Sequence, residues 1–105
     1  VYTISIMKVL PQPVVFQWDK GNAEKNVQKH TVTPEEAEQI FFDPHKKQYK
    51  DIVHSTNQEK RYLLIGKTKT NRLLFVAYTI RDNTIRVISA RDLNRREKAL
   101  YEKAA

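Results

Sequence analysis

Apolar residues change their spacing about halfway along the chain, and the change separates two kinds of structure. From residue 61 onward they fall in strand-like stretches. "RYLLIGKT" (61–68) and "RLLFVAYTI" (72–80) are short apolar runs, and "TIRVISA" (84–90) alternates apolar with polar positions. Both patterns fit strands. "KTN" (69–71) and "RDN" (81–83) are the turns between them, the second a tight hairpin. Alternation in the last strand predicts Ile85, Val87 and Ser89 on one face, with Arg86, Ile88 and Ala90 on the other. "QYKDIVH" (48–54) predicts one more strand, and "STNQE" its turn.

The first half carries helical signals. "VVFQWD" (14–19) is a short strand with Val14, Phe16 and Trp18 on one face and Val15 on the other. Asp19 is a candidate N-cap for a helix over 21–30, whose lone large apolar residue, Val27, predicts shallow packing. Thr33, Pro34 and Glu36 form a capping-box start for a second helix with Ala37, Ile40 and Phe41 on its apolar face. Asp43-Pro44 ends it. A closing helix spans 92–103, with Asp92 as N-cap and Leu93, Arg96 and Leu100 on one face.

The element order is therefore β-α-α-β-β-β-β-α. It predicts an α+β fold: an antiparallel meander sheet of about four strands, with two N-terminal helices and a C-terminal helix. The chain of 105 residues reads as one domain, with 1–13 an N-terminal arm or strand and 14–105 the folded unit. The helices are expected on one face of the sheet, leaving the other uncovered, and Arg61, Arg86 and Arg91 can converge there or at its rim.

Charge sharpens that picture. Residues 1–59 hold seven lysines against eight acids, whereas residues 60–105 hold five lysines and all seven arginines against four acids. Guanidinium keeps its proton and presents a planar fork to phosphate. A one-sided arginine field therefore points to a polyanion or an acidic partner. Like charges placed across neighbouring strands cost stability unless an anion joins them.

Several chemistries are excluded. There is no cysteine, and the three histidines (30, 45 and 54) have no ligand spacing, so no metal or cofactor is expected. With only Gly21 and Gly66 there is no Gly-rich phosphate loop. No apolar run approaches the roughly 20 residues of a membrane span. The start does not read as a signal peptide, since Ser5 and Lys8 break its apolar stretch, and the expected location is the cytoplasm.

Acid–base and cation chemistry remain. Metal-free RNA cleavage needs a base for the 2′-hydroxyl, an acid for the leaving 5′-oxygen and fixed cations for the developing phosphorane charge. Glu59, His30, His54, Tyr62, Tyr78 and Tyr101 can transfer protons, while Arg61, Arg72, Arg86 and Arg91 can supply the cations. Each has a plainer role available. Glu59 and Arg61 can form a surface pair, His30 can answer a helix dipole, Tyr78 can be core, and Arg95 and Arg96 can be a solvated helix face.

Four blocks carry a family resemblance: "FQWDKGNAEKNVQKH", "VTPEEAEQIFFDP", "EKRYLLIGKTKTNRLLFVAYT" and "IRVISARDLNRREKALYE". Together they resemble the BrnT toxins of type II toxin–antitoxin systems over residues 16–102. Thr31 departs from the pattern, standing where the family has Gly after K-H, so the helix is expected to end without a left-handed glycine cap.

The resemblance implies a RelE-like fold and a metal-independent endoribonuclease that cleaves RNA and inhibits translation. It also implies a BrnA-like ribbon-helix-helix antitoxin that neutralises the toxin in a heterotetramer and makes the contact with operator DNA; no membrane is involved. Carried onto this chain, its blocks point to Glu59, Arg61, Arg72, Arg86, Arg91, Lys29 and His30; the roles follow by physical inference, with Glu59, Arg61, Arg86, Arg91 and His30 in catalysis and Lys29, Arg72, Arg95, Arg96 and Tyr101 in docking RNA or antitoxin. The competing expectation is a non-catalytic RNA- or partner-binding module, a decayed toxin. Direct DNA reading by this chain is disfavoured, because the arginines sit mainly on strands and no helix-turn-helix is evident.

Overall fold

The computed structural model describes residues 2–4, 10–11 and 13–103, the first three as backbone only. Four strands form an antiparallel meander: β3 (Lys47–Asp51), β4 (Arg61–Lys67), β5 (Leu73–Arg81) and β6 (Thr84–Asp92). Two short strands extend it, so the sheet is larger than the sequence predicts and mixed in direction. Strand β1 (Tyr2–Ile4) pairs antiparallel with β3, and β2 (Phe16–Gln17) pairs parallel with β6, giving the order β1-β3-β4-β5-β6-β2. The arm expected over 1–13 thus holds a strand, and the rest of that stretch lies largely outside the described residues.

Helix α1 (Lys20–His30) starts where expected, with the Asp19 carboxylate accepting the Gly21 and Asn22 N–H groups. Its anchor is not Val27, which is 42% exposed, but the buried Asn26. The Asn26 Oδ1 accepts the Ala90 N–H at 3.2 Å, while its Nδ2 has no partner among the described residues. The left-handed cap is present after all. Thr31 takes φ 54° and ψ 31°, and the Thr31 and Val32 N–H groups close the helix onto Val27 and Asn26 carbonyls. Such a conformation strains a β-branched residue, and the contacts that Thr31 makes with Arg72 help hold it.

The capping box of α2 (Pro34–Gln39) forms as read, from Thr33 and Glu36, and a 3-10 turn over Ile40–Phe42 finishes it. Ile40 lies so near Gly66 that a Cβ there would sit 3.0 Å from both its Cβ and its carbonyl oxygen, so a bare backbone is required at that crossing. Helix α3 (Arg95–Glu102) begins three residues later than expected. Asn94, not Asp92, is the N-cap, in a capping box with Glu97, and β6 runs on through Asp92.

The helices occupy both faces, which corrects the one-sided arrangement. α1, α2 and the 3-10 turn cover one core, in which Ile40, Phe41, Leu64, Leu74, Val76, Tyr78 and Ile85 are buried. α3 packs on the opposite face over Tyr49, Leu63, Ile65, Phe75 and Ala77 through Leu100 and Tyr101, with Leu93 just ahead of its cap joining the same cluster. Being eight residues long, it covers only part of that face. The end of the sheet near Thr79 stays open.

A register shift in β6 decides what faces that open end. Ala77 pairs with Ser89 but Tyr78 pairs with Val87, so Ile88 is an extra residue, a bulge. Simple alternation would put Arg86 and Arg91 on opposite faces. The bulge instead sets Ile85, Val87 and Ala90 together in the first core, and Arg86, Ser89 and Arg91 on the α3 face. The grouping of Ser89 with Ile85 and of Ala90 with Arg86 is corrected accordingly.

Candidate functional site

Across the open end, Cα partners line up as Asp51, Arg61, Thr79 and Arg86 on β3, β4, β5 and β6. Arg61 and Arg86 thus flank Thr79 on one face, rooted two strand spacings apart, about 10 Å. Thr79 is buried and its hydroxyl donates to the Lys60 carbonyl at 2.8 Å, so the floor between the arginines is fixed. Neither guanidinium has a hydrogen bond or ion pair among the described residues, so neither cation is neutralised by a side chain. Two long cationic side chains on such a floor can close on one anion between them.

These residues line a cleft of about 190 Å³, together with Glu59, Arg81, Asp19, Asn22, Val87 and Ile88. Glu59 is placed by the loop before β4, where its N–H donates to Thr56 Oγ1 at 2.9 Å, and its carboxylate pairs with Arg81. The sequence reading did not single out Arg81 or Asn22 as site residues. Arg81 read as part of a hairpin and Asp19 only as a helix cap. Asp82 and Asn83, both at positive φ (51° and 60°), make that hairpin tight and leave Arg81 as the last residue of β5.

The other expected site residues lie elsewhere. His30 and Arg72 sit beyond the opposite end of β5, roughly 25 Å from the cleft for a nine-residue strand. Arg72 is a structural clasp. Its guanidinium bonds both Asp92 oxygens at 2.8 and 3.1 Å, Glu36 at 3.2 Å, and the carbonyls of Thr31 and His30 at 2.9 and 3.0 Å. Arg91 lies 4.0 Å over the Phe75 ring and bonds both oxygens of the buried Glu97 at 2.8 Å, so it anchors α3 instead of joining Arg86. The Tyr101 hydroxyl donates to Asp43 at 2.6 Å under the same helix, and burial followed by that carboxylate pushes it up to about 12. Tyr78 is fully buried, which pushes it up to about 12, and takes a hydrogen bond from Gln48. Tyr62 packs against Tyr78 on the α1–α2 side of the sheet. Lys29, Arg95 and Arg96 are exposed.

Four carboxylates outside the cleft are held below their ordinary range. In Glu36 the Thr33 backbone N–H leads and Arg72 adds to it; in Asp92 the bond from Arg72 leads. Burial alone would raise Asp43 and Glu97. In Asp43 the Tyr101 hydroxyl and two backbone N–H groups outweigh it, and in Glu97 the bonds from Arg91 and the Asn94 N–H do. Carboxyls depressed in the folded state stabilise it above their unfolded values, 3.8 for Asp and 4.5 for Glu, and that stability is lost as pH falls through the folded values. The melting temperature should therefore hold level down to about pH 5 and fall steeply below about pH 4. Thermal melts that superimpose from pH 6 to pH 3 would contradict this.

Among the described residues no cluster of His, Asp and Glu could hold a metal ion, and no helix is long and apolar enough to cross a membrane.

Comparison with known proteins adds an independent line. A family model described as the ribonuclease toxin BrnT of type II toxin–antitoxin systems matches residues 18–97. The fold is similar to the 1.1 Å crystal structure of the Brucella abortus ribonuclease toxin BrnT, with a TM-score of 0.57 and 17% identity over 78% of this chain and 99% of that one. No curated protein matches the chain.

Proposed function

This chain belongs to the BrnT family of ribonuclease toxins of type II toxin–antitoxin systems, and from that premise we propose that it is a metal-independent endoribonuclease that cleaves RNA at the Arg61–Arg86 cleft. The observation that carries the reading is the pair of arginines, unneutralised among the described residues, in one cross-strand row with Glu59 in the same cleft. The arginines hold the phosphate and stabilise its developing charge. Glu59 accepts the 2′-hydroxyl proton, and Arg81 fixes its carboxylate. Lys29, Arg95 and Arg96 lie on exposed surface, available to a longer stretch of RNA or to the antitoxin. A BrnA-like ribbon-helix-helix antitoxin would neutralise the toxin by covering the cleft with acidic or backbone acceptors, in a heterotetramer that meets operator DNA through the antitoxin. The setting is the cytoplasm, the fold a variant of the RelE type, and the consequence for the cell is arrested translation.

The test is direct. Purified protein free of antitoxin should cut a mixed-sequence RNA in the presence of EDTA. If intact protein binds that RNA with a steep salt dependence but leaves it whole, the cleft is a binding site without chemistry, and the decayed-toxin reading replaces this one.

A further inference from the structure

We propose that the second proton-transfer group of the cleft is His54, held by Asp51; this deepens the ribonuclease reading and rests on it. Residues 48–54 were expected to form one strand. Instead β3 ends at Asp51, and residues 52–54 turn back. The turn brings the His54 ring onto the Asp51 side chain, with Nδ1 2.7 Å from Oδ2, while Asp51 Oδ1 accepts the His54 N–H at 3.2 Å.

Three features separate this pair from an ordinary surface contact. The Asp51 side chain is 7% exposed but the imidazole is 61% exposed, so a buried carboxylate orients an accessible ring. Asp51 is the direct cross-strand partner of Arg61, on the side away from Thr79. Ser55 ties the turn to that arginine, because its hydroxyl donates to the Asp51 carbonyl at 2.6 Å and accepts the Arg61 N–H at 2.9 Å. A carboxylate can only accept, so the ring proton sits on Nδ1. Nε2 makes no hydrogen bond among the described residues and, on an exposed ring, is left to exchange protons.

Strand cleavage of RNA needs two proton transfers, and the cleft lining holds two carboxylates: Glu59, on the Arg81 side, and Asp19, whose Oδ1 is taken up in capping α1. Asp51, which holds the His54 ring, pairs with Arg61 on the side away from Thr79. In the step this assigns, Glu59 takes the proton of the 2′-hydroxyl as O2′ bonds to phosphorus. The P–O5′ bond breaks, and the imidazolium gives its Nε2 proton to O5′. The products are a 2′,3′-cyclic phosphate and a 5′-hydroxyl. Glu59 then loses its proton to solvent, and His54 regains one from it. Asp51 is a positioning residue.

A sulfur-substituted substrate isolates this role. Once the wild-type cleavage position in an RNA oligonucleotide is mapped, the same oligonucleotide is made with sulfur as the bridging 5′ atom, a leaving group that needs no proton. His54→Ala in the full chain should lower cleavage of ordinary RNA about a hundredfold. It should cut the sulfur substrate within a few-fold of wild type. Asp51→Asn should follow the same pattern more weakly, through kcat and not KM. His54→Gln, checked by circular dichroism, replaces the alanine variant if that one does not fold. Equal losses on the two substrates, or no loss on either, would overturn the assignment while leaving the ribonuclease reading intact. Wild-type protein that cuts neither substrate would remove the ribonuclease reading and this one with it.

Discussion

Replacing Arg86 by alanine should cost about a hundred- to a thousandfold in the rate of RNA cleavage while leaving the melting temperature unchanged or slightly higher. The two halves of that expectation come from one geometry. Arg86 faces Arg61 across Thr79, and neither is neutralised by a side chain among the described residues. With no anion between them the two cations repel, so removing one relieves a small strain. In the transition state the phosphorane carries more charge than the ground state, and a guanidinium already fixed on a strand stabilises it without reorganising. Arg86→Lys should recover only part of the rate, since an ammonium keeps the charge but loses the fork. Single-turnover cleavage and a thermal melt on the same preparation decide the matter. A variant that cuts RNA at the wild-type rate would remove Arg86 from the site, and one that unfolds would make it structural.

Arg72→Ala should do the reverse: destabilise the protein by about 2–3 kcal/mol without a specific effect on RNA. Its guanidinium joins the end of α1, the start of α2 and the end of β6 through two main-chain carbonyls, Glu36 and Asp92. Asp92 is 60% exposed, so solvent screens its share, and most of the cost falls on the two carbonyls and Glu36. They lose a charged donor, and Thr31 loses support for its left-handed conformation. For a domain of this size the loss corresponds to a fall of roughly 10 °C or more in melting temperature. Below that temperature cleavage should proceed at the wild-type rate. Wild-type stability combined with weakened RNA binding would return Arg72 to the docking surface that the sequence suggested.

What was legible in the sequence followed from local chemistry. The capping box at Thr33 and Glu36, the Asp19 cap and the β4–β5–β6 meander are each written in neighbouring residues, and each formed. The C-terminal helix was read early because Asp92 and Asn94 are both good caps, and only the distant Arg72 claims Asp92 for the strand. The bulge at Ile88 has no signal in β6, since it is a property of the pairing with β5. The convergence expected of Arg61, Arg86 and Arg91 holds for the first two but not for Arg91, for a related reason. Composition shows that they share one half of the chain, but not which have carboxylates waiting for them across the fold. Glu97 takes Arg91, and Glu36 and Asp92 take Arg72, while Arg61 and Arg86 have no such claimant among the described residues.

The Asn26 side chain has a bearing on how this protein behaves in solution. Strand β2 shields β6 only at Ile85 and Arg86, so the remainder of that outer margin could template another chain. Ala90 lies along that margin, and its amide is already held by the buried Asn26 amide oxygen from α1. A buried side chain there does the work of a missing neighbour strand at this one amide. That one amide is thereby denied to a second copy pairing along this margin, a local guard against edge-to-edge growth.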